Sequence, residues 1–139
     1  MRNPLSDYAK IKKLHNEALK LNHKYENKIS NGGCGTFALY FSTLLDRYNI
    51  QNSIVYLPET NTPAGAFRCD IKFTHIMVKT PYFYIDNVKL CLFIGSLNTI
   101  DLSKDKLRWM LQDHRYWNTK VFLWHWNYSL AEDILRINL

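Results

Sequence analysis

The stretch TFALYF, residues 36–41, constrains this chain more than any other. It lies in a helical pattern over 35–48 and is apolar nearly all the way round, so a helix there has no face to give to solvent. It must be buried on several sides, and the other elements must be arranged about it. The 139 residues, 47% of them hydrophobic, have the size and apolar content of one ordinary globular domain. The expectation is a single domain over 1–139 with this helix at its centre.

The flanking patterns supply what could surround it. Ser6 can cap a first helix, because Tyr8, Ile11, Leu14, Ala18, Leu21 and Tyr25 follow at three- and four-residue steps along one face, with Lys10, Lys12, Lys13 and Lys20 interleaved. Glycines 32 and 33 then break the chain. SIVYL at 53–57 reads as a strand, and residues 58–70, with two prolines and Gly65, read as a long loop that could act as a lid. Residues 74–80, 82–87 and 121–126 read as further strands. Ser103, with Leu102 and Leu107 as a hydrophobic staple, opens a helix to about residue 114, and Ser129 to Glu132 form a capping box for a short final helix. The expected class is α+β: helices packed on a small antiparallel sheet, with Cys34 at the start of the central helix.

Charge and cysteine usage narrow the setting. The formal charge of +6 favours approach to acidic partners, but the 18 basic residues are scattered and form no block, so they read as solvated surface. Cysteines 34, 69 and 91 have neither CxxC spacing nor an even count, which argues against a zinc ribbon or a closed disulfide framework and fits a reducing compartment. Cys69 and Cys91 read as structural. No stretch approaches the ~20 apolar residues of a membrane helix, and MRNPLSDYAK lacks the apolar centre of a signal peptide. A cytoplasmic protein with no membrane contact is expected, and the sequence assigns no oligomeric state. His15 and His23 are eight apart and no HExxH occurs, so neither a metal nor another cofactor is expected.

Cys34 is set among three glycines, GGCG. A thiol attacks only as thiolate, and a helix N-terminus favours that form by setting partial positive charge and free N–H groups beside the sulfur. Gly32 and Gly33 permit the sharp turn into the helix, Gly35 keeps the approach open, and the Cys34 N–H could form half of an oxyanion hole. Gly33 and Gly35 are thus candidate substrate-binding positions. A base and an orienting group are found in FTHIMVKTPYFYIDN. If the hairpin turns about Thr80 and Pro81, Lys79 faces Tyr82, Met77 faces Tyr84 and His75 faces Asp86, close enough for the carboxylate to fix the imidazole tautomer. Tyr82 and Tyr84 then share the face of Asp86, and Tyr84 is a further candidate for substrate contact. Cysteine, base and acid in this relation form the general nucleophile, base and orienter set.

In that order, GGCGTFALYFSTLLDRYNI, THIMV and YFYID resemble the core of transglutaminase-like and papain-like cysteine enzymes, in which a cysteine opens a central helix and His and Asp or Asn follow on neighbouring antiparallel strands. The "CG" is also similar to that of bacteriocin-processing cysteine peptidases. The resemblance covers residues 30–87 and implies Cys34 as nucleophile, His75 as base and Asp86 as orienting carboxylate. Papain-like enzymes usually carry a glutamine shortly before the cysteine to complete the oxyanion hole; here Lys28 and Asn31 stand in that stretch. The expected activity is acyl transfer through a Cys34 thioester on a protein or peptide substrate, by a cysteine peptidase or amidase; a transglutaminase or glutamine deamidase would use the same three residues. Readings of another class are a non-catalytic inhibitor or binding protein and a basic nucleic-acid-binding module. For the latter, Trp109, Trp117, Trp124 and Trp126 accompany Arg108, Arg115 and Lys120, although core packing and cation–π contacts account for them more simply. His125 is a reserve base.

Overall fold

The computed structural model describes residues 4–25, 34–58, 73–92, 99–112 and 128–139. Gly32, Gly33, the expected lid over most of 58–70, Cys69 and the expected strand over 121–126, with His125 and three of the tryptophans, lie outside the described residues. The described elements are α1 (Pro4–Lys24), α2 (Cys34–Arg47), β1 (Ser53–Pro58), β2 (Phe73–Lys79), β3 (Phe83–Ile85), β4 (Leu90–Leu92), β5 (Ile100–Asp101), α3 (Lys104–Gln112) and α4 (Tyr128–Leu135). The strands form one antiparallel sheet in the order β4-β3-β2-β1-β5, so the architecture is mixed α+β. No described helix is long and apolar enough to cross a membrane.

The all-round apolar helix takes the position its composition demands. Of the fourteen residues of α2, only Thr43, Asp46 and Arg47 escape burial. It packs on β1 and β2 on one side and meets α1, α3 and α4 on the others. Ile54, Tyr56, Ile76, Val78, Phe83 and Ile85 from the sheet join Phe37, Leu39, Phe41 and Leu44 of α2 in one core. The reverse face of the sheet carries a smaller cluster of Val55, Met77 and Tyr84. The α2 C-terminus is closed by paired bonds, Ile50 N–H to Leu45 O at 3.0 Å and Asn49 N–H to Asp46 O at 2.9 Å. Asn49 turns left-handed there, with φ of 57°, a conformation asparagine tolerates better than most residues.

The stripe of α1 faces this core as its spacing requires: Ile11, Leu14 and Ala18 are buried, and Tyr8, Leu21 and Tyr25 pack partly buried beside them. The C-terminal end of α1 is tied to α4 through Asp133, which accepts hydrogen bonds from Tyr25 Oη at 2.5 Å and Lys24 Nζ at 2.7 Å. Ser103 caps α3, its Oγ accepting the Lys106 N–H at 3.1 Å, and Leu102 and Leu107 are both buried.

Two expected caps are displaced. α1 begins at Pro4, ahead of Ser6, because proline is preorganised for a first helical turn where its missing N–H is not needed. α4 begins at Tyr128, which puts Ser129 inside its first turn. β4 and β5 had no counterpart in the sequence reading, since strands of three and two residues are too short to show an alternation.

The hairpin register also differs from expectation. Val78 pairs with Ile85 and Lys79 with Tyr84, two residues from the anticipated pairing. The cause is Thr80, whose Oγ1 accepts the N–H groups of Tyr82 at 3.2 Å and Phe83 at 2.9 Å while its own N–H bonds Phe83 O at 2.8 Å. The turn is thereby centred on Pro81 and Tyr82, with proline where its fixed φ suits a tight turn. A slip of two keeps the paired strand residues on their expected faces, because strand alternation has period two, but it moves Tyr82 out of the strand into the turn.

Candidate functional site

With this register, continuing the β2–β3 ladder by one pair sets Asp86 level with Met77. His75 therefore reaches Asp86 diagonally instead of straight across, a separation long side chains can span. The distance from His75 Nε2 to Asp86 Oδ2 is 2.9 Å. Just before His75 the pairing shifts: Leu57 faces His75 but Pro58 faces Phe73, so β2 gains one residue. Such irregularities alter the local twist and re-aim neighbouring side chains.

Asp86 serves two purposes with two different oxygens. Oδ1 accepts the N–H groups of Val88 and Lys89, both at 2.7 Å, and this local turn fixes the carboxylate. The backbone supports the same corner, with Asp86 N–H bonded to Lys89 O at 2.9 Å. Oδ2 is left for His75. One carboxylate thus caps its local turn and bonds the imidazole at the same time.

The third member arrives from α2. Cys34 is its first residue and is 5% exposed, and its side chain stands close enough to the His75 ring to raise the imidazole pKa. A carboxylate only accepts, so Nε2 of His75 carries a hydrogen and the sulfur is left to the other ring nitrogen, Nδ1. The side chains of His75 and Asp86 are 29% and 14% exposed, which leaves the imidazole as the most accessible of the three.

The electrostatics follow from these contacts. The hydrogen bond His75 donates to Asp86, with the Cys34 side chain beside the ring, outweighs burial and pushes His75 up to about 10. For Asp86, burial acts to raise the carboxyl, but the hydrogen bonds from His75 and from the Lys89 and Val88 amides prevail and hold it below its ordinary value. Imidazolium and carboxylate are thus the resting forms of this pair near neutral pH.

The remaining candidates are placed as follows. Gly35 is buried in the first turn of α2, directly after Cys34, and Gly33 is outside the described residues. Tyr84 is 7% exposed and packs with Val55 and Met77, where it backs the sheet. Tyr82 does not join it: displaced into the turn, it meets Tyr8 of α1 edge-on at 6.2 Å. Cys91, expected to be structural, is free and exposed on β4. Trp109 is partly exposed under a cation–π contact with Lys106 Nζ at 4.4 Å. Among the described residues, no group of three or more His, Cys, Asp or Glu is gathered as a metal site would need.

One residue at this site escaped the sequence reading. His15 of α1 is buried, and its Nε2 lies 2.9 Å from the main-chain carbonyl oxygen of Asp86. The available signal was its position: 15 falls on the same stripe as Ile11, Leu14 and Ala18, where a polar ring needs a buried partner. No protein-family model, curated protein or solved structure matches this chain.

Proposed function

We propose that the protein is a thiol-dependent acyl-transfer enzyme, a cysteine peptidase or amidase acting through a thioester on Cys34, with a papain-like or transglutaminase-like relation of cysteine-headed helix and antiparallel sheet. The observation that supports this reading is the meeting of Cys34, His75 and Asp86 from three separate elements, with His75 Nε2 2.9 Å from Asp86 Oδ2 and Cys34 beside the ring.

In this reading the Cys34 proton already rests on His75 Nδ1 while Nε2–H stays bonded to Asp86, so the resting pair is thiolate and imidazolium. Sγ then bonds to the carbonyl carbon of an amide as the carbonyl electron pair moves onto oxygen. Backbone N–H groups at the start of α2, that of Cys34 among them, donate to this oxyanion in this reading. When the C–N bond breaks, the departing amine takes the proton from Nδ1 and the acyl group remains on sulfur. A water gives its proton to Nδ1 as its oxygen attacks the thioester, the C–S bond breaks, the acid leaves and the proton is again on Nδ1 beside the thiolate. An amine in place of water yields a new amide by the same steps.

The test is to incubate the protein with a peptide and acyl-amide mixture and follow both intact mass and products. The expected result is a hydroxylamine-labile acyl adduct on Cys34, with Cys34→Ala lowering turnover by at least about 10³-fold. Acid products indicate hydrolysis and new amides indicate transamidation. Absence of any adduct, together with Cys34 alkylation that behaves as an ordinary thiol, would instead favour a non-catalytic binding protein.

A further inference from the structure

We infer that His15 is a positioning residue that ties the Asp86 corner to the helix carrying Cys34. Three observations converge on it. First, a carbonyl oxygen only accepts, so the 2.9 Å contact requires Nε2 of His15 to donate its hydrogen to Asp86 O. Second, the same ring stands edge-on to Phe37 at 6.0 Å and to Phe41 at 5.8 Å, and those two α2 rings stack on each other at 5.3 Å. Phe37 and Phe41 follow Cys34 by three and seven residues, so His15 is braced against the turns of α2 directly behind the sulfur. Third, His15 is 5% exposed on a face otherwise made of Ile11, Leu14 and Ala18, where an apolar residue would avoid burying a polar ring.

The geometry gives this ring a task the local turn cannot perform. The Val88 and Lys89 amides orient the carboxylate within its own corner, but they are only two and three residues away and set nothing relative to α2. The His15 bond spans 71 residues and joins that corner, through α1, to the helix bearing the sulfur. Burial lowers the His15 pKa more than the hydrogen bond and charge of Asp86 raise it, so the ring donates as a neutral group. A neutral donor leaves the carboxylate charge to His75. Among the described residues, the charged groups near it include the Asp86 carboxylate and the lysines Lys12 and Lys13, the lysines lining a groove with His15 and Leu90.

The catalytic consequence rests on the function proposed above, whereas the structural tie does not, and the experiment separates them. ¹⁵N NMR of the wild-type protein reads the His15 tautomer directly; the Nε2–H form is expected, and an Nδ1–H form would overturn the inference without any variant. His15→Phe removes the donor at similar bulk, and His15→Gln keeps a neutral N–H donor. In His15→Phe the His75 titration midpoint should fall below its wild-type position and Cys34 alkylation at about pH 6 should slow roughly tenfold, with His15→Gln recovering part of both. If thermal stability alone drops while the His75 midpoint and alkylation rate stay within about twofold of wild type, His15 is merely a core residue and the inference fails. If wild-type Cys34 reacts as an ordinary thiol while His15→Phe still moves the His75 midpoint, the enzymatic reading fails and the positioning role stands.

Discussion

The two ends of α2 are each organised around an aspartate, and they differ in what the network leaves over. At the C-terminal end, Asp46 accepts a hydrogen bond from Asn52 Nδ2 at 2.7 Å and pairs with Lys104, Asn52 also donates to Ile50 O at 2.9 Å, and Asn52 Oδ1 takes the Ser42 hydroxyl at 2.5 Å. Every partner there is a structural group, and the paired turn bonds at Asn49 and Ile50 finish the helix. At the N-terminal end, Asp86 spends one oxygen on two amides and the other on His75, and the Cys34 side chain stands beside that ring. A network of carboxylate, amide and hydroxyl can only hold the fold. One that includes a thiol and an imidazole also holds chemistry, and its geometry depends on contacts from α1, α2, β2 and the β3–β4 corner at once.

The largest test of that contrast is Asp86→Asn. The amide can still accept from Val88 and Lys89, so the turn survives, but the charge that supports the His75 imidazolium is gone. The His75 midpoint should drop from about 10 toward its ordinary value. Cys34 alkylation near pH 6, read by peptide mapping, should slow by roughly a hundredfold or more. Alkylation unchanged by this substitution would mean that Asp86 orients nothing.

Stability should carry the same signature against pH. His75 is raised in the folded protein, so its contribution is fully present below the ordinary value of 6.5 and is lost as pH climbs through about 10. Asp86 is lowered, so its contribution is present above the ordinary 3.8 and is lost as pH falls through the depressed folded value. The wild-type advantage over Asp86→Asn in denaturant unfolding should therefore be greatest between about pH 4 and 6.5 and shrink toward pH 10. A difference that is flat across this range would show that the pair is not linked to folding.

The smallest effect belongs to the other end. Asn52→Ala removes hydrogen bonds to Ser42, Asp46 and Ile50 and should lower unfolding free energy by about 1–2 kcal/mol while leaving Cys34 alkylation within about twofold. A large change in thiol reactivity would erase the distinction between the two ends.

The sequence exposed this arrangement unevenly, for physical reasons. The burial of α2 was legible because an all-round apolar helix has one solution, and the α1 stripe and the Ser103 cap were legible because periodicity and capping are local. His75 and Asp86 could be grouped because a hairpin relates residues through short chain separations, and the error of two in its register left that pair on one face; Cys34 joined them through the chemistry of a helix-start thiol and a family resemblance. The Thr80 hydroxyl that set the true register competes with the backbone in a way composition does not announce. β4 and β5 were too short to show a period. His15 was visible as a residue on an apolar stripe, but its partner lies 71 positions away and only the packing of α1 over the Asp86 corner brings them together.

The most direct measurement is the alkylation rate of Cys34 in the folded protein from about pH 4 to 9, resolved by peptide mapping. A sulfur coupled to His75 and Asp86 should stay reactive to about pH 5–6, where a small-molecule thiol in the same assay falls to a small fraction of its alkaline rate. If the Cys34 profile instead follows that of the small-molecule thiol, rising through about 8.5, the coupling proposed for this site is contradicted.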